Sequence, residues 1–286
     1  MPKMPDGAAV LITGCSTGIG RSVAVYLAEQ GFTVFAGVRK DRDAETLRQL
    51  GLANLVPIQP LDLTDSEHIR EAVREVGTEI RSRALPGLFA LIHNAGGGSI
   101  APVELIELKR LRRDLETRVL GSIDLVQKSL PLIRKAGGRI IWIMTPGLIP
   151  TPFVASIHAC DYAVNCLART LDIELKPWKI RQIMVRCGGI KTQAVARSAA
   201  ELEESFQTWP RDGFSLYQNM LLRWKEDMKK FDAKRTDPRE VARVVLKALC
   251  AAKPKRRYSV GYMAGAAAFL ERLPQTWADF ILKKRF

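Results

Sequence analysis

A chain of 286 residues, 47% hydrophobic and 26% charged, has the composition of a globular protein and the length to bury a full core, which excludes a disordered or low-complexity polypeptide. No stretch reaches the ~18 uninterrupted apolar residues of a spanning helix, and the five cysteines (Cys15, Cys160, Cys166, Cys187, Cys250) lack paired metal-ligand spacing, so no metal is expected. The net charge of +14 is uneven, with 17 Lys and Arg against 7 Asp and Glu in residues 223–286; no nucleic-acid motif accompanies it, so it reads as a solvated basic surface and no nucleic-acid partner is expected.

The first strand pattern, residues 8–12, begins too early to leave room for a signal peptide, and the expected compartment is the cytoplasm, with reduced thiols. The strand leads into Thr13-Gly14-Cys15-Ser16-Thr17-Gly18-Ile19-Gly20, and Val23, Ala24, Leu27 and Ala28 then recur at helical spacing. Glycines at a strand-to-helix turn allow backbone amides and the positive helix end to hold a pyrophosphate. Residues 33–38 read as a second strand ending in Arg39-Lys40. A third, 55–58, is followed by Asp62-Leu63. Residues 66–76 read as a helix capped by Ser66. A fourth strand, 88–92, ends in His93-Asn94-Ala95-Gly96-Gly97-Gly98, and a long helix is expected over 108–132. A fifth strand, 139–143, meets the turn Thr145-Pro146-Gly147; a helix over 157–175 and a sixth strand, 180–185, follow.

Apolar strands alternating with helices predict an α/β fold, a Rossmann-type doubly wound parallel sheet, in a single domain spanning 1–286. The nucleotide-binding core would be 8–192, a helical lid or substrate region 193–236, and C-terminal helices with a last strand 237–286. Ligands of such sheets lie beyond the carboxyl ends of the strands, where the Gly turn, Arg39, Asp62, Asn94, Thr145 and Gly188 all fall. Within 194–232, Trp209, Phe214, Tyr217, Met220, Leu221 and Trp224 suit a bulky apolar substrate; a moving lid and a packed helix both fit. The tail, 264–286, mixes Phe269, Leu270, Leu273, Trp277, Phe280 and Ile281 with Lys283-Lys284-Arg285. It can dock on the domain, on a partner subunit or at a membrane surface, although Pro274 interrupts its helix.

On Gly14-x-x-x-Gly18-x-Gly20, Asp62-Leu63 and Asn94-Ala95-Gly96 the chain resembles the short-chain dehydrogenase/reductase family over 8–192. The Gly37-Val38-Arg39 context and the tail resemble its retinol, steroid and hydroxybutyrate dehydrogenase branch. The resemblance implies a dinucleotide held by Gly14, Ser16, Thr17, Gly18, Ile19 and Gly20, with Asp62 and Leu63 near adenine. Asn94, Ala95 and Gly96 would support the sheet beside the cofactor, and Ile190 and Thr192, in Gly188-Gly189-Ile190-Lys191-Thr192, would hold the nicotinamide carboxamide. It also implies a homo- or hetero-oligomer through the helices near 108–132 and 157–175. An acidic residue ending the second strand would repel a 2′-phosphate, whereas Arg39, with Lys40 and Arg42, pairs with one; NADP(H) is therefore favoured over NAD(H).

The family's Asn, Ser, Tyr and Lys positions fall on Arg118, Met144, Ile157 and Asp161, and its proline before Gly188 on Cys187. Thr145, beside the serine position, and His158, beside the tyrosine position, are candidate replacements. Arg118 and Asp161 are expected to form a partly buried ion pair; alternatively Asp161 would accept from ribose hydroxyls. The resulting expectation is a divergent oxidoreductase acting on a bulky apolar or iminium-type small molecule. The alternatives are an inactive partner subunit and a non-redox cyclase or isomerase.

Overall fold

The computed structural model describes residues 8–285, apart from the Arg285 side chain; residues 1–7 of the expected domain and Phe286 of the expected tail lie outside the described residues. Seven parallel strands form one sheet: β1 (Ala9–Thr13), β2 (Thr33–Gly37), β3 (Leu55–Ile58), β4 (Leu88–His93), β5 (Arg139–Met144), β6 (Arg181–Cys187) and β7 (Arg257–Val260). Their spatial order is β3-β2-β1-β4-β5-β6-β7. Every residue of β1 is buried because helices cover both faces of the sheet. On one face Val10 and Ile12 meet Val23 and Leu27 of α1 (Gly18–Glu29), Leu47 of α2 (Asp41–Arg48), and Val241 and Val245 of α9 (Pro238–Cys250). On the other, Leu11 and Leu91 meet Ile69 of α3 (Ser66–Ser82), Leu125 of α5 (Gly121–Ala136) and Val164 of α6 (Ala155–Glu174). Each such aliphatic side chain contributes about 1.5–3 kcal/mol by leaving water. The chain reverses winding at β1, flanked by β2 and β4, and that reversal opens a crevice at the carboxyl ends.

The structure corrects several local expectations. Asp65, not Ser66, caps α3, accepting from the amides of Glu67 (2.9 Å) and His68 (3.3 Å); the Ser66 hydroxyl donates instead to Asp124 on α5 (2.8 Å). The helix expected over 108–132 is interrupted: α4 (Leu108–Leu115) passes through a π-helical turn, Glu116–Leu120, into α5, which carries Pro131 inside it. The interruption ends where a Cβ on Gly121 would stand 1.8 Å from the Leu63 carbonyl oxygen, so α5 rests directly on backbone. The helical stretch expected over 194–232 is formed by two helices, α7 (Gln193–Thr208) and α8 (Arg211–Asp232), with a break at Trp209-Pro210. The tail forms α10 (Ala264–Leu270) and α11 (Gln275–Arg285), with Pro274 just ahead of α11. Among the described residues no helix is long and apolar enough to cross a membrane.

Candidate functional site

The crevice is built first from two side chains bonded to backbone. The buried Thr13 hydroxyl accepts from the amides of Asn94 and Ala95, both at 3.0 Å. In return the Asn94 side-chain amide donates to the carbonyls of Thr13 (3.0 Å) and Gly14 (3.1 Å). The ends of β1 and β4 are thus fastened together at the switch in strand order. Gly14 has φ of +71°, and a Cβ on it would stand 2.9 Å from the Ala95 Cα. A Cβ on Gly20 would stand 2.2 Å from the Gly14 oxygen and 2.4 Å from Asn94 Nδ2, so only hydrogen fits as α1 meets the turn.

The N-terminus of α1 is left open for an anion. Thr17 is extended, its hydroxyl makes no capping bond, and the first turn carries no acid. Thr192, at the start of α7, has the same character, and its side chain lies 3.3 Å from where a Gly18 Cβ would sit. The Thr192 side chain thus borders the glycine turn, and the uncapped N-terminus of α1 behind that turn fits a pyrophosphate. Ser16 is half-buried at the cradle, and Ile19 packs against the core beneath it. The Cys15 thiol, bonded to the Ile12 carbonyl (3.3 Å), is raised by burial far above its ordinary range and stays protonated.

Beyond β2 and β3, Asp62 accepts from the Thr64 amide (3.0 Å) and hydroxyl (2.9 Å), and Arg39, half-exposed, approaches to 4.0 Å. Burial pushes the Asp62 carboxyl up, but the Thr64 bonds and the Arg39 charge together bring it below its ordinary value. Leu63 is buried under α5. At the end of β6, the Gly189 amide donates to the Tyr262 carbonyl (2.8 Å), and the buried Ile190 bridges to Thr236. Every residue expected at the nucleotide thus lies along the carboxyl ends of the strands.

The other half of the site is built from side chains. Arg118, on the π-helical turn, pairs with Asp161 on α6; the side chains are 14% and 2% exposed. The second Asp161 oxygen accepts the Thr145 amide at 2.7 Å. Both carboxylate oxygens therefore already have donors. Burial pushes Asp161 up, yet Arg118 and Thr145 outweigh it and hold the carboxyl below its usual range. Burial lowers Arg118, and Asp161 more than restores it. Arg118 lies over Gly96, where a Cβ would meet its Cγ at 2.7 Å, and Ile157 presses on Gly98. Met144 is buried in the core at the end of β5.

The structure brings Arg118, Asp161 and Thr145 together and sets His158 on the next face of α6, about 100° around from Ile157. There His158 and Tyr162 line a cavity of about 450 Å³ beside Leu148, Leu270, Leu273 and Ala278. Burial brings His158 below its ordinary range, against the opposing pull of Asp161, so the ring is neutral near pH 7. The aromatic residues after Thr192 do not line this cavity. Trp209, Phe206, Phe214, Tyr217 and Trp224 pack on one another and on Ala101 and Phe153, as the core of the α7–α8 hairpin.

Two supports escaped the sequence reading. Ser99 donates its amide to Ser156 (2.8 Å) and its hydroxyl to Asp114 (3.0 Å), tying the Gly loop to α4 and α6. Arg186, 1% exposed within β6, donates to the Thr145 carbonyl (3.3 Å) and to Asn165 (3.0 Å) and lies 4.0 Å from Glu271, which also pairs with Arg257. Burial, and next the Arg257 charge, push Arg186 below its usual range. Its signal was a charge between the apolar run Ile183-Met184-Val185 and Cys187, within one strand.

Residues 8–203 match the family model described as short chain dehydrogenase. The chain is 29% identical over 297 residues to estradiol 17-beta-dehydrogenase 2 of Rattus norvegicus, covering 98% of this chain and 75% of that one. It is 30% identical over 278 residues to the uncharacterized oxidoreductase YbbO of Escherichia coli K12, covering 96% and 94%. The fold matches the structure of a short chain dehydrogenase from Burkholderia cenocepacia J2315 in complex with NADP, with a TM-score of 0.74 and 24% identity over 98% of this chain and 99% of that one. On the family match and on the fold, the chain belongs to the short-chain dehydrogenase/reductase family of oxidoreductases.

Proposed function

We propose that the protein is an NADP(H)-dependent oxidoreductase acting on a bulky apolar small molecule whose acceptor carbon is already cationic, as in an iminium. The observation that carries this reading is the pairing of an intact nucleotide cradle with an acid–base position that has no proton to give. Asp161 is held ionised by Arg118 and Thr145, and Ile157 has no titratable group. When bound, NADPH supplies a hydride. Reduction of a ketone leaves an alkoxide that needs a proton from a neighbouring group. With an iminium, the C=N pair becomes the nitrogen lone pair, the product is a neutral amine, and no proton is called for.

Gly14, Gly18 and Gly20 leave room for the pyrophosphate, and Arg39, half-exposed at the end of β2 and 4.0 Å from Asp62, offers a guanidinium to a 2′-phosphate. The apolar walls of the cavity beside His158 and Tyr162 suit a bulky hydrophobic body. The exposed side chains of Leu108, Leu120 and Ile173, on and beside α4–α6, support assembly with a second copy, which light scattering would read as twice the monomer mass.

Fluorescence titration with NADPH tests the premise; no binding at about millimolar cofactor refutes the reading. NADPH consumption is then followed with matched imine and ketone panels. Imine turnover retained in Thr145→Ala and His158→Ala is the expected result. Ketone turnover lost in either variant would replace the reading with a relocated general acid.

A further inference from the structure

We propose that the outer face of α11 docks on an anionic lipid surface. This short helix packs inside out. Its buried residue is Ala278, 6% exposed, while Trp277, Phe280 and Ile281 are 65%, 63% and 43% exposed. A helix that folds only onto its own domain buries its large side chains and shows its small ones. The three exposed residues lie at i, i+3 and i+4, one helix face. Lys284 continues that face at i+7, its ammonium 5.3 Å from the Phe280 ring. Phe269, on α10, is 64% exposed.

Charge selects the occupant. Arg272, Lys283 and Lys284 are exposed around this apolar face. The two acids of the same segment turn away from it: Glu271 pairs inward with Arg257, and Asp279 lines the cavity beneath. An apolar patch with a cationic rim complements phospholipid headgroups, the rings entering the interface and the ammonium groups meeting phosphate or carboxylate. A second copy placed on the same face by twofold symmetry would set the two basic rims against each other. With 11 residues, α11 is too short to span a bilayer and would lie along its surface.

The test is flotation of the full chain with vesicles of phosphatidylcholine alone and of phosphatidylcholine with about 30% phosphatidylserine, in about 0.1 M salt. Binding to the anionic vesicles, weakened by added salt, is expected. Trp277→Ala/Phe280→Ala should weaken it by about tenfold or more, and Lys283→Gln and Lys284→Gln by about fivefold each. Unchanged melting curves in these exposed variants would separate lost docking from lost folding. Equal or absent binding to both vesicles overturns the proposal, as does retained binding in the Trp277→Ala/Phe280→Ala variant. A lipid-free dimer that this variant dissociates would assign the face to a second copy and equally overturns it.

Discussion

The two halves of the site are made from different material. The cradle around Gly14, Gly20, Thr13 and Asn94 is fixed against backbone: the Ala95 Cα and the Gly14 oxygen stand where a Cβ on Gly14 or Gly20 would go, and the Thr13 and Asn94 side chains bond main-chain groups. The half around Arg118, Asp161 and Ile157 is fixed by side chains packed on a loop of three glycines. Backbone constraint leaves few alternatives to glycine, whereas a side-chain arrangement can be exchanged as a set, provided its charges remain paired. The two halves are therefore open to change to different degrees.

The sharpest way to break this contrast is Gly20→Val, which drives carbon into the Gly14 oxygen and Asn94. Loss of NADPH binding, or of soluble folded protein, is expected in a titration and a melting curve. A variant with near-normal affinity would show that the cradle is not set by backbone. On the other half, Asp161→Ala strands the Arg118 charge and should cost about 3–5 kcal/mol in urea unfolding. Arg118→Met/Asp161→Leu should recover most of that loss, because no charge is left alone. A single-variant cost below about 1 kcal/mol would mean that the pair is solvated and weak.

Arg39→Asp is expected to shift the NADPH/NADH affinity ratio by roughly 10–100-fold, the worth of one or two charge-assisted hydrogen bonds. An unchanged ratio would place the phosphate elsewhere.

The last effect is a pH slope, small over any one pH unit. His93, at the end of β4 and stacked on Trp142 at 4.1 Å, is pushed down by burial from 6.5 to about 3. Below about 6.5 the unfolded chain takes up a proton that the folded chain refuses until about pH 3. Stability therefore falls with falling pH across that window, by up to ~1.4 kcal/mol per unit. Asp161, lowered from 3.8, contributes stability above that value and loses it only as pH falls further, through its folded pKa, so it does not shape the slope between about 4 and 6.5. Urea midpoints of His93→Phe should show a shallower slope, the remainder coming from His158, which burial also holds below its ordinary value.

What the sequence made legible follows the same division. The glycine turn and the parallel strands around it were readable because steric demand leaves glycine and apolar runs as local traces. The Arg118–Asp161 pair was readable because two opposite charges fall where the family resemblance leads one to expect an uncharged and a basic residue, in two separate segments. The Ser99–Asp114–Ser156 knot was not, since nothing local marks polar residues brought together from three elements. Asp65 and Ser66 are both good caps, and only the competing bond from Ser66 to Asp124 decides between them. The aromatics after Thr192 left two readings open for a related reason: an apolar stripe looks the same whether it lines a pocket or fills a helical hairpin.

The π-helical turn bearing Arg118 acts as a ruler. A turn of this kind holds one residue more than an α-helical turn, so α4 is set about 100° out of phase with the helix that α5 would otherwise continue. That offset lets Asp114 reach Ser99 while Arg118, a few residues on, reaches Asp161. Excising any one residue from 116–120 would remove the offset even if every named partner survived, and one anchor of the Gly96–Ser99 loop would swing away. At this point in the chain, length is a stricter requirement than residue identity.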